Sequence, residues 1–147
     1  MEIKQLTKNK GCSSDTCLFF TTSDYSDCKY RIVKQIGCGT FSTVYLCEDT
    51  RDGKQYAMKV HQEYSGLEVH KRAVILNDAQ VISKLQGHPN VIQVKEVHMN
   101  GKISNEDGTK NKEVFAVMVL ETLKGGELYY HIRKCEKFSI KTSRLFF

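Results

Sequence analysis

The sequence contains a glycine-rich stretch, Gly37-Cys38-Gly39-Thr40-Phe41-Ser42, followed at once by Thr43-Val44-Tyr45-Leu46-Cys47. Glycine has no Cβ, so backbone N–H groups in such a stretch can close around phosphate oxygens. A dinucleotide-binding fold would need a helix directly after the glycines, whereas β-branched and aromatic residues favour a strand. The pattern therefore predicts two antiparallel strands joined by a glycine turn, and an ordinary hairpin remains the alternative to a phosphate-binding loop.

A single lysine lies inside the apolar run Ala57-Met58-Lys59-Val60. Burying an ammonium group without an anion costs several kcal/mol. Lys59 is therefore predicted to be paired or to bind phosphate. The alternative is a lysine on the solvated face of an edge strand.

The remaining pattern predicts a small α+β fold. Alternation from Tyr30 and the Asp52-Gly53 turn signal indicate three strands, and apolar residues at three- and four-residue steps indicate one helix. Asn100 to Lys112 is polar and is predicted to be a long, mobile hairpin loop between two further strands. The predicted later elements are a helix over 68–85 that ends at Gly87 and Pro89, strands over 91–97 and 114–121, a short helix over 127–134, and a last helix with Ser139 as its N-cap.

Composition excludes several classes of protein. The chain has 22 Lys and Arg against 17 Asp and Glu, a net charge of +5, but its cations are dispersed, which argues against nucleic-acid binding. Its longest apolar run, Val114 to Leu120, is far shorter than the roughly 20 residues of a membrane span. Without a secretory signal the six cysteines are predicted to be thiols, and their spacing predicts no metal site. We predict an intracellular protein of the cytoplasm, with the nucleus as a further location.

The two ends of the sequence differ from its middle. Residues 1–29 are polar apart from Leu18-Phe19-Phe20 and are predicted to form a flexible extension. The last residues, Leu145-Phe146-Phe147, leave apolar side chains with nothing nearby to pack against, so we expect a truncated fold that is marginally stable and self-associates.

Together these features resemble the N-terminal lobe of the eukaryotic protein kinases. Five elements follow in the expected order: a G-x-G-x-x-G-x-V-like run from Gly37 to Val44, a V-A-I-K-like Tyr56 to Lys59, a helix, His88-Pro89-Asn90, and a strand running into Glu121-Thr122-Leu123-Lys124-Gly125-Gly126-Glu127. The resemblance covers residues 30–147 and is closest to Ser/Thr kinases of the calmodulin-dependent and AMP-activated type. It implies a kinase-like small lobe, with a five-stranded antiparallel sheet and one main helix, followed by a hinge and the start of the helical lobe.

The resemblance also implies a role for particular residues in binding ATP. Lys59 would hold the α- and β-phosphates and pair with an acid on the helix, which by position is Asp78. Leu120 would gate the back of the pocket, and Glu127 would meet the ribose. The full set of implied nucleotide contacts is Ile36, Gly37, Cys38, Gly39, Thr40, Phe41, Ser42, Val44, Ala57, Lys59, Leu120, Glu121, Leu123 and Glu127.

Three departures limit what the resemblance implies. Ser42 replaces the third glycine of the loop, and Asp78 is one methylene shorter than the glutamate usual on the helix, unless it is a solvent-facing residue in a shifted register. The 147 residues contain no His-Arg-Asp, Asp-Phe-Gly or Ala-Pro-Glu motif, so the base and the Mg²⁺ ligands are absent from them. We expect the ATP-binding lobe of a Ser/Thr protein kinase that needs a missing lobe for its protein substrate and for phosphate transfer. The alternative is a truncated, non-catalytic kinase-like regulatory module.

Overall fold

The fold consists of six strands and three helices in the described part of the chain. The computed structural model describes residues 17–22, 29–61, 68–108 and 111–146, with the backbone alone for residues 29 and 68–72. The elements are β1 (Leu18–Thr22), β2 (Lys29–Cys38), β3 (Ser42–Asp49), β4 (Gln55–His61), α1 (Glu68–Lys84), β5 (Val94–Asn105), β6 (Asn111–Glu121), α2 (Leu128–Cys135) and α3 (Ile140–Phe146).

The strands form a closed antiparallel barrel in the order β1-β2-β3-β4-β6-β5. The five predicted antiparallel strands correspond to β2 to β6, but the predicted number of strands is wrong because β1 pairs with both β2 and β5 and closes the barrel. Residues 18–22 were expected in a flexible extension. They form a strand because Leu18 and Phe20 alternate with outward-facing residues and pack inside the barrel. The rest of the predicted extension, apart from Cys17 and Lys29, lies outside the described residues.

The core fills the barrel and contains the inward-facing residues of all six strands. Phe20 and Tyr30 are its two largest fully buried side chains. Because side chains alternate along a strand, the opposite, outward face of β3, β4 and β6 is left for other contacts. The buried members of the core are Phe20, Tyr30, Cys47, Met58, Val60, Ile103, Val114, Val117 and Val119.

The prediction of a long loop between the last two strands is wrong. β5 and β6 remain paired from Gly101 opposite Val114 to Ser104 opposite Asn111. The polar residues of this stretch alternate with Gly101 and Ile103, which are buried, so one face of the hairpin serves the core. Only the short turn around Gly108 remains, and Gly108 has the positive φ of 74° that favours glycine there.

The helix α1 matches the predicted range to within one residue at its end. Gly87 lies just beyond it with φ 85°, as the predicted glycine C-terminus requires. Among the residues of α1 from 73 onward, the buried ones are Ile75 and Ala79, one helical turn apart, and α1 contacts β5. The apolar residues Val74, Leu76, Val81 and Leu85 are exposed, so the broad apolar face expected from the pattern is not buried.

Candidate nucleotide-binding site

The glycine-rich loop is a tight turn between β2 and β3. Gly37 lies opposite Val44 and Cys38 opposite Thr43, and the N–H of Gly39 donates to the carbonyl of Ser42 at 2.8 Å. Phe41 is therefore at the tip of the turn, where its side chain is 63% exposed. Ile36 lies at an irregularity in the β2–β3 pairing and is about half exposed.

The fold does not itself require glycine at Gly37 or Gly39. Neither is among the described glycines with positive φ. A Cβ built at Gly37 would lie 3.5 Å from Cβ of Val44, and one at Gly39 would lie 3.6 Å from the carbonyl oxygen of Ser42, both ordinary contacts. What glycine does supply at these positions is a bare backbone that an anion can approach closely.

Cross-strand pairing places four of the predicted site residues on one face. Val44 lies opposite Lys59, and Ala57 lies opposite Leu120. Residues directly opposite each other share a face, and so do Ala57 and Lys59, two positions apart. The alternate residues Met58 and Val60 are buried in the core, so the shared face is the outer one. It begins beside the glycine turn, where Gly37 lies opposite Val44.

Lys59 is partly buried on this face and is not paired with Asp78. Among the ion pairs of the described residues, none joins Lys59 to Asp78. Asp78 is exposed because α1 turns the neighbouring Ala79 toward the barrel. The predicted lysine–acid pair is therefore absent from this conformation, in which the aspartate does not reach the lysine.

The charges of Lys59 and Asp78 both act on His61. It lies two positions after Lys59 and on the same outer face of β4. Burial lowers the pKa of His61, the positive charge of Lys59 lowers it further, and the negative charge of Asp78 partly offsets both effects. The charge of Asp78 is thus felt on this face even though the carboxylate is not in contact with Lys59.

The segment after β6 provides the remaining predicted contacts. The N–H of Glu121 donates to the carbonyl of Gln93 at 3.0 Å, and its side chain accepts from the N–H of Gln93 at 2.8 Å. The N–H of Glu121 is therefore already bonded within the chain. Leu123 is 66% exposed, and Glu127 is exposed at the start of α2.

A charged network that sequence reasoning missed lies at the β3–β4 turn. Arg51 binds the carboxylate of Asp49 through Nε and a terminal nitrogen, the latter at 2.6 Å, and also lies 2.7 Å from Glu96. Tyr30 donates to Glu96 at 2.7 Å. Lys95 Nζ completes the set 2.6 Å from Asp49. The available sequence signal was Asp49 itself, an acid at an inward position of an alternating strand.

The network shifts the pKa values of its members. Hydrogen bonds from Arg51, with further contributions from Lys95, hold the pKa of Asp49 well below its usual range. Burial, followed by the hydrogen bond to Glu96, raises the pKa of Tyr30. Around neutral pH, Asp49 therefore stays ionised and Tyr30 stays neutral. Such a constant pattern of charge is typical of a structural network.

The thiols and possible metal ligands that the structure describes are not assembled into a site. Cys17, Cys38, Cys47 and Cys135 are free thiols, as predicted, and Cys12 and Cys28 lie outside the described residues. Burial raises the pKa of Cys47 to about 12, so it is an unreactive core residue. The described ranges hold no group of three or more His, Cys, Asp or Glu side chains arranged for a metal ion, and no Mg²⁺ ligands are assigned to them.

Comparison with known proteins identifies the family. A profile of the protein kinase domain matches residues 30–147. The chain is 30% identical over 115 residues to a putative ribosomal protein S6 kinase alpha-2 of Caenorhabditis elegans, with 76% of this chain and 13% of that protein covered. It is 33% identical over 119 residues to CBL-interacting protein kinase 8 of Oryza sativa subsp. japonica, with 81% and 24% covered. It is 25% identical over 118 residues to the cAMP-dependent protein kinase catalytic subunit of Dictyostelium discoideum, with 80% and 16% covered.

The chain therefore belongs to the protein kinase domain family and is homologous to Ser/Thr protein kinases. It spans only 13% to 24% of the length of these three relatives. The profile match confirms the resemblance to protein kinases and its range, residues 30–147. Among the helices that the structure describes, none is long and apolar enough to cross a membrane.

Proposed function

We propose that this chain binds ATP on the outer face of β3, β4 and β6, as the N-terminal part of a Ser/Thr protein kinase domain. The observation that carries the proposal is the shared face of Val44, Ala57, Lys59 and Leu120 beside a glycine turn that needs no glycine for its own geometry. An apolar surface suits an adenine ring, and a lysine with bare backbone N–H groups suits phosphate. All these groups lie within a few residues of one another across three adjacent strands.

Each part of the face has a distinct proposed role. Val44 and Ala57 cover the adenine together with Ile36, and Leu120 gates the back of the pocket. The backbone of the turn, from Gly37 to Ser42, donates to the phosphates, and Phe41 at the tip limits the access of water to them. Lys59 neutralises the α- and β-phosphates. Leu123 supplies backbone groups to the adenine edge, and Glu127 supplies a carboxylate to the ribose hydroxyls.

The parent activity is transfer of the γ-phosphoryl group of ATP to a Ser or Thr hydroxyl of a protein, with ADP as leaving group and loss of the hydroxyl proton. Mg²⁺ supplies charge neutralisation at the β- and γ-phosphates in this chemistry. The described residues offer no metal site, and the 147 residues contain no His-Arg-Asp motif to supply the base. We therefore propose that the 147 residues alone bind nucleotide weakly and transfer no phosphate.

Nucleotide titration of the chain and a matched pair of lysine variants tests the binding site. A fluorescent ATP analogue, displaced by ATP, is titrated into the wild-type chain, Lys59→Met and Lys54→Met. Lys54 is an exposed residue of the β3–β4 turn, so its variant removes the same charge away from the outer face. We expect Lys59→Met to weaken binding about tenfold or more, a loss of about 1.4 kcal/mol, and Lys54→Met to leave it unchanged. Equal binding by both variants would show that Lys59 does not contact the nucleotide.

A further inference from the structure

Strand β1 is paired along both of its edges. Phe20 lies opposite Tyr30 of β2 and opposite Ile103 of β5, and the pairing continues on either side. Without β1, the other five strands would form the open sheet β2-β3-β4-β6-β5, with β2 and β5 as its unpaired edges. The five residues of β1 thus occupy a groove whose two walls are strand edges, each presenting backbone donors and acceptors.

The groove contains a space shaped for the side chain of Phe20. The ring is fully buried, with its centre 6.5 Å from that of Tyr30 and 5.9 Å from that of His98. Gly101 of β5 forms the floor, and a Cβ built on it would lie 2.8 Å from Cζ of Phe20 and 3.0 Å from the carbonyl oxygen of Thr21. Real Cβ atoms do not approach other atoms so closely, so the ring and the β1 backbone fit there only because residue 101 is glycine.

The side chains of β1 alternate as those of a bound peptide do in strand addition. Leu18, Phe20 and Thr22 face the barrel interior, where Phe20 and Thr22 are buried and Leu18 packs against the core. Phe19 and Thr21 face outward and remain partly exposed. Main-chain pairing holds such a segment, and the pockets under alternate side chains select its sequence.

We propose that the groove between β2 and β5 is a binding site for an extended peptide with an aromatic residue at its central inward position, and that its resident ligand is β1 of the same chain. Residues 23–28 join β1 to β2 in the sequence, and so short a connection gives β1 a high effective concentration at the groove, on the order of millimolar. A free peptide of the same sequence enters the groove only when the competing strand β1 binds there less tightly.

Peptide binding to phenylalanine variants of the full chain tests this proposal. The probe is a fluorescein-labelled peptide of residues 16–23 with Cys17→Ser, followed by anisotropy. Phe20→Ala removes the buried ring, and Phe19→Ala removes the same group from the opposite face of the same strand. We expect the probe to bind Phe20→Ala at least about tenfold more tightly than wild type or Phe19→Ala, because only Phe20→Ala weakens the competing segment. Equal binding by the three chains, or no binding to Phe20→Ala, would overturn the proposal.

A double variant locates the binding site. In Phe20→Ala/Gly101→Val the valine side chain fills the space that the peptide ring needs, so probe binding is lost. Retained binding would place the peptide elsewhere and refute the groove.

Amide hydrogen exchange tests the groove in a milder variant, should Phe20→Ala fail to fold. In Phe20→Leu we expect faster exchange at Gly101 to Asn105, which face β1, and unchanged exchange at Val117 to Leu120, which lie between β4 and β5. Equal acceleration of both sets would mean that β1 does not leave independently of the barrel and would contradict the proposal.

Discussion

Lys95 Nζ lies 2.6 Å from Oδ2 of Asp49, a carboxylate that is 1% exposed at the end of β3. Lys95 also lies 3.9 Å from the centre of the Tyr56 ring, and the same carboxylate is bound by Arg51. Residues 46 positions apart are thereby joined across the barrel. Removal of the buried carboxylate would leave two cations without their anion. This loss is the main way in which such a buried ion pair affects stability.

Asp49→Asn should destabilise the fold because it keeps the shape of the side chain and removes the charge. We expect the free energy of unfolding to fall by about 3 kcal/mol, the lower end for breaking a buried pair, since Arg51 and Lys95 keep part of their water. Urea unfolding followed by circular dichroism measures the change. Glu48→Gln is the control, because it breaks the exposed Arg31–Glu48 pair, and should change stability by less than about 1 kcal/mol. Similar losses in the two variants would contradict the structural role of the network.

The depressed pKa of Asp49 makes stability depend on pH in a defined direction. A carboxyl group with a lower pKa in the folded state contributes stability that is fully present above its ordinary pKa of about 3.9 and is lost as the pH falls toward the folded value. We therefore expect the melting temperature to drop more steeply for wild type than for Asp49→Asn between about pH 5 and pH 3. Scanning calorimetry at several pH values measures both slopes. Parallel curves would show that Asp49 does not titrate as the network requires.

The contrast between β3–β4 and β1 shows how far the sequence could predict this structure. The order of glycine turn, Lys59 strand and helix is local, so the pattern predicted these elements and their family correctly. Strand β1 was missed because five residues in a polar context acquire their structure only from pairing with β2 and with β5, and β5 is distant in sequence. The network at Asp49 was missed for the same reason, since only the strand register brings Lys95 and Glu96 to it. The Lys59–Asp78 pairing, implied by resemblance, depended on how α1 packs, which the pattern does not determine.

Gly101→Ala should destabilise the barrel because the added methyl group meets the Phe20 ring and the Thr21 carbonyl. Overpacking of this kind costs about 1–3 kcal/mol, which should appear as a lower midpoint of urea unfolding. Gly125→Ala is a matched control, because Gly125 has no atom within 4 Å of its Cβ position and no positive φ. The prediction fails if the two glycine variants unfold at the same urea concentration.

Asp78→Glu should strengthen nucleotide binding if Lys59 is the phosphate-binding residue. The extra methylene extends the carboxylate toward Lys59, and a partly exposed ion pair that orders the lysine is worth about 0.2–1 kcal/mol, or up to about fivefold in affinity. Titration with the fluorescent ATP analogue measures the change. Asp78→Asn is the control and should bind like wild type, because Asp78 does not contact Lys59 in this structure. A clear loss in Asp78→Asn would show that the carboxylate is already engaged when nucleotide binds.

The apolar surface of α3 should make the 147-residue chain self-associate. Ile140 is 76% exposed, Leu145 is 81% exposed, and Phe146 is half exposed although it stacks on Phe138 at 5.4 Å. An apolar patch of this kind on a short helix favours burial against a second copy as concentration rises. We expect sedimentation velocity to show a sedimentation coefficient that increases with concentration, and Leu145→Glu to bring it toward the monomer value. Val33→Glu, which adds the same charge at an exposed apolar residue of β2, should leave association unchanged, and a monodisperse wild-type monomer at every concentration would refute the prediction.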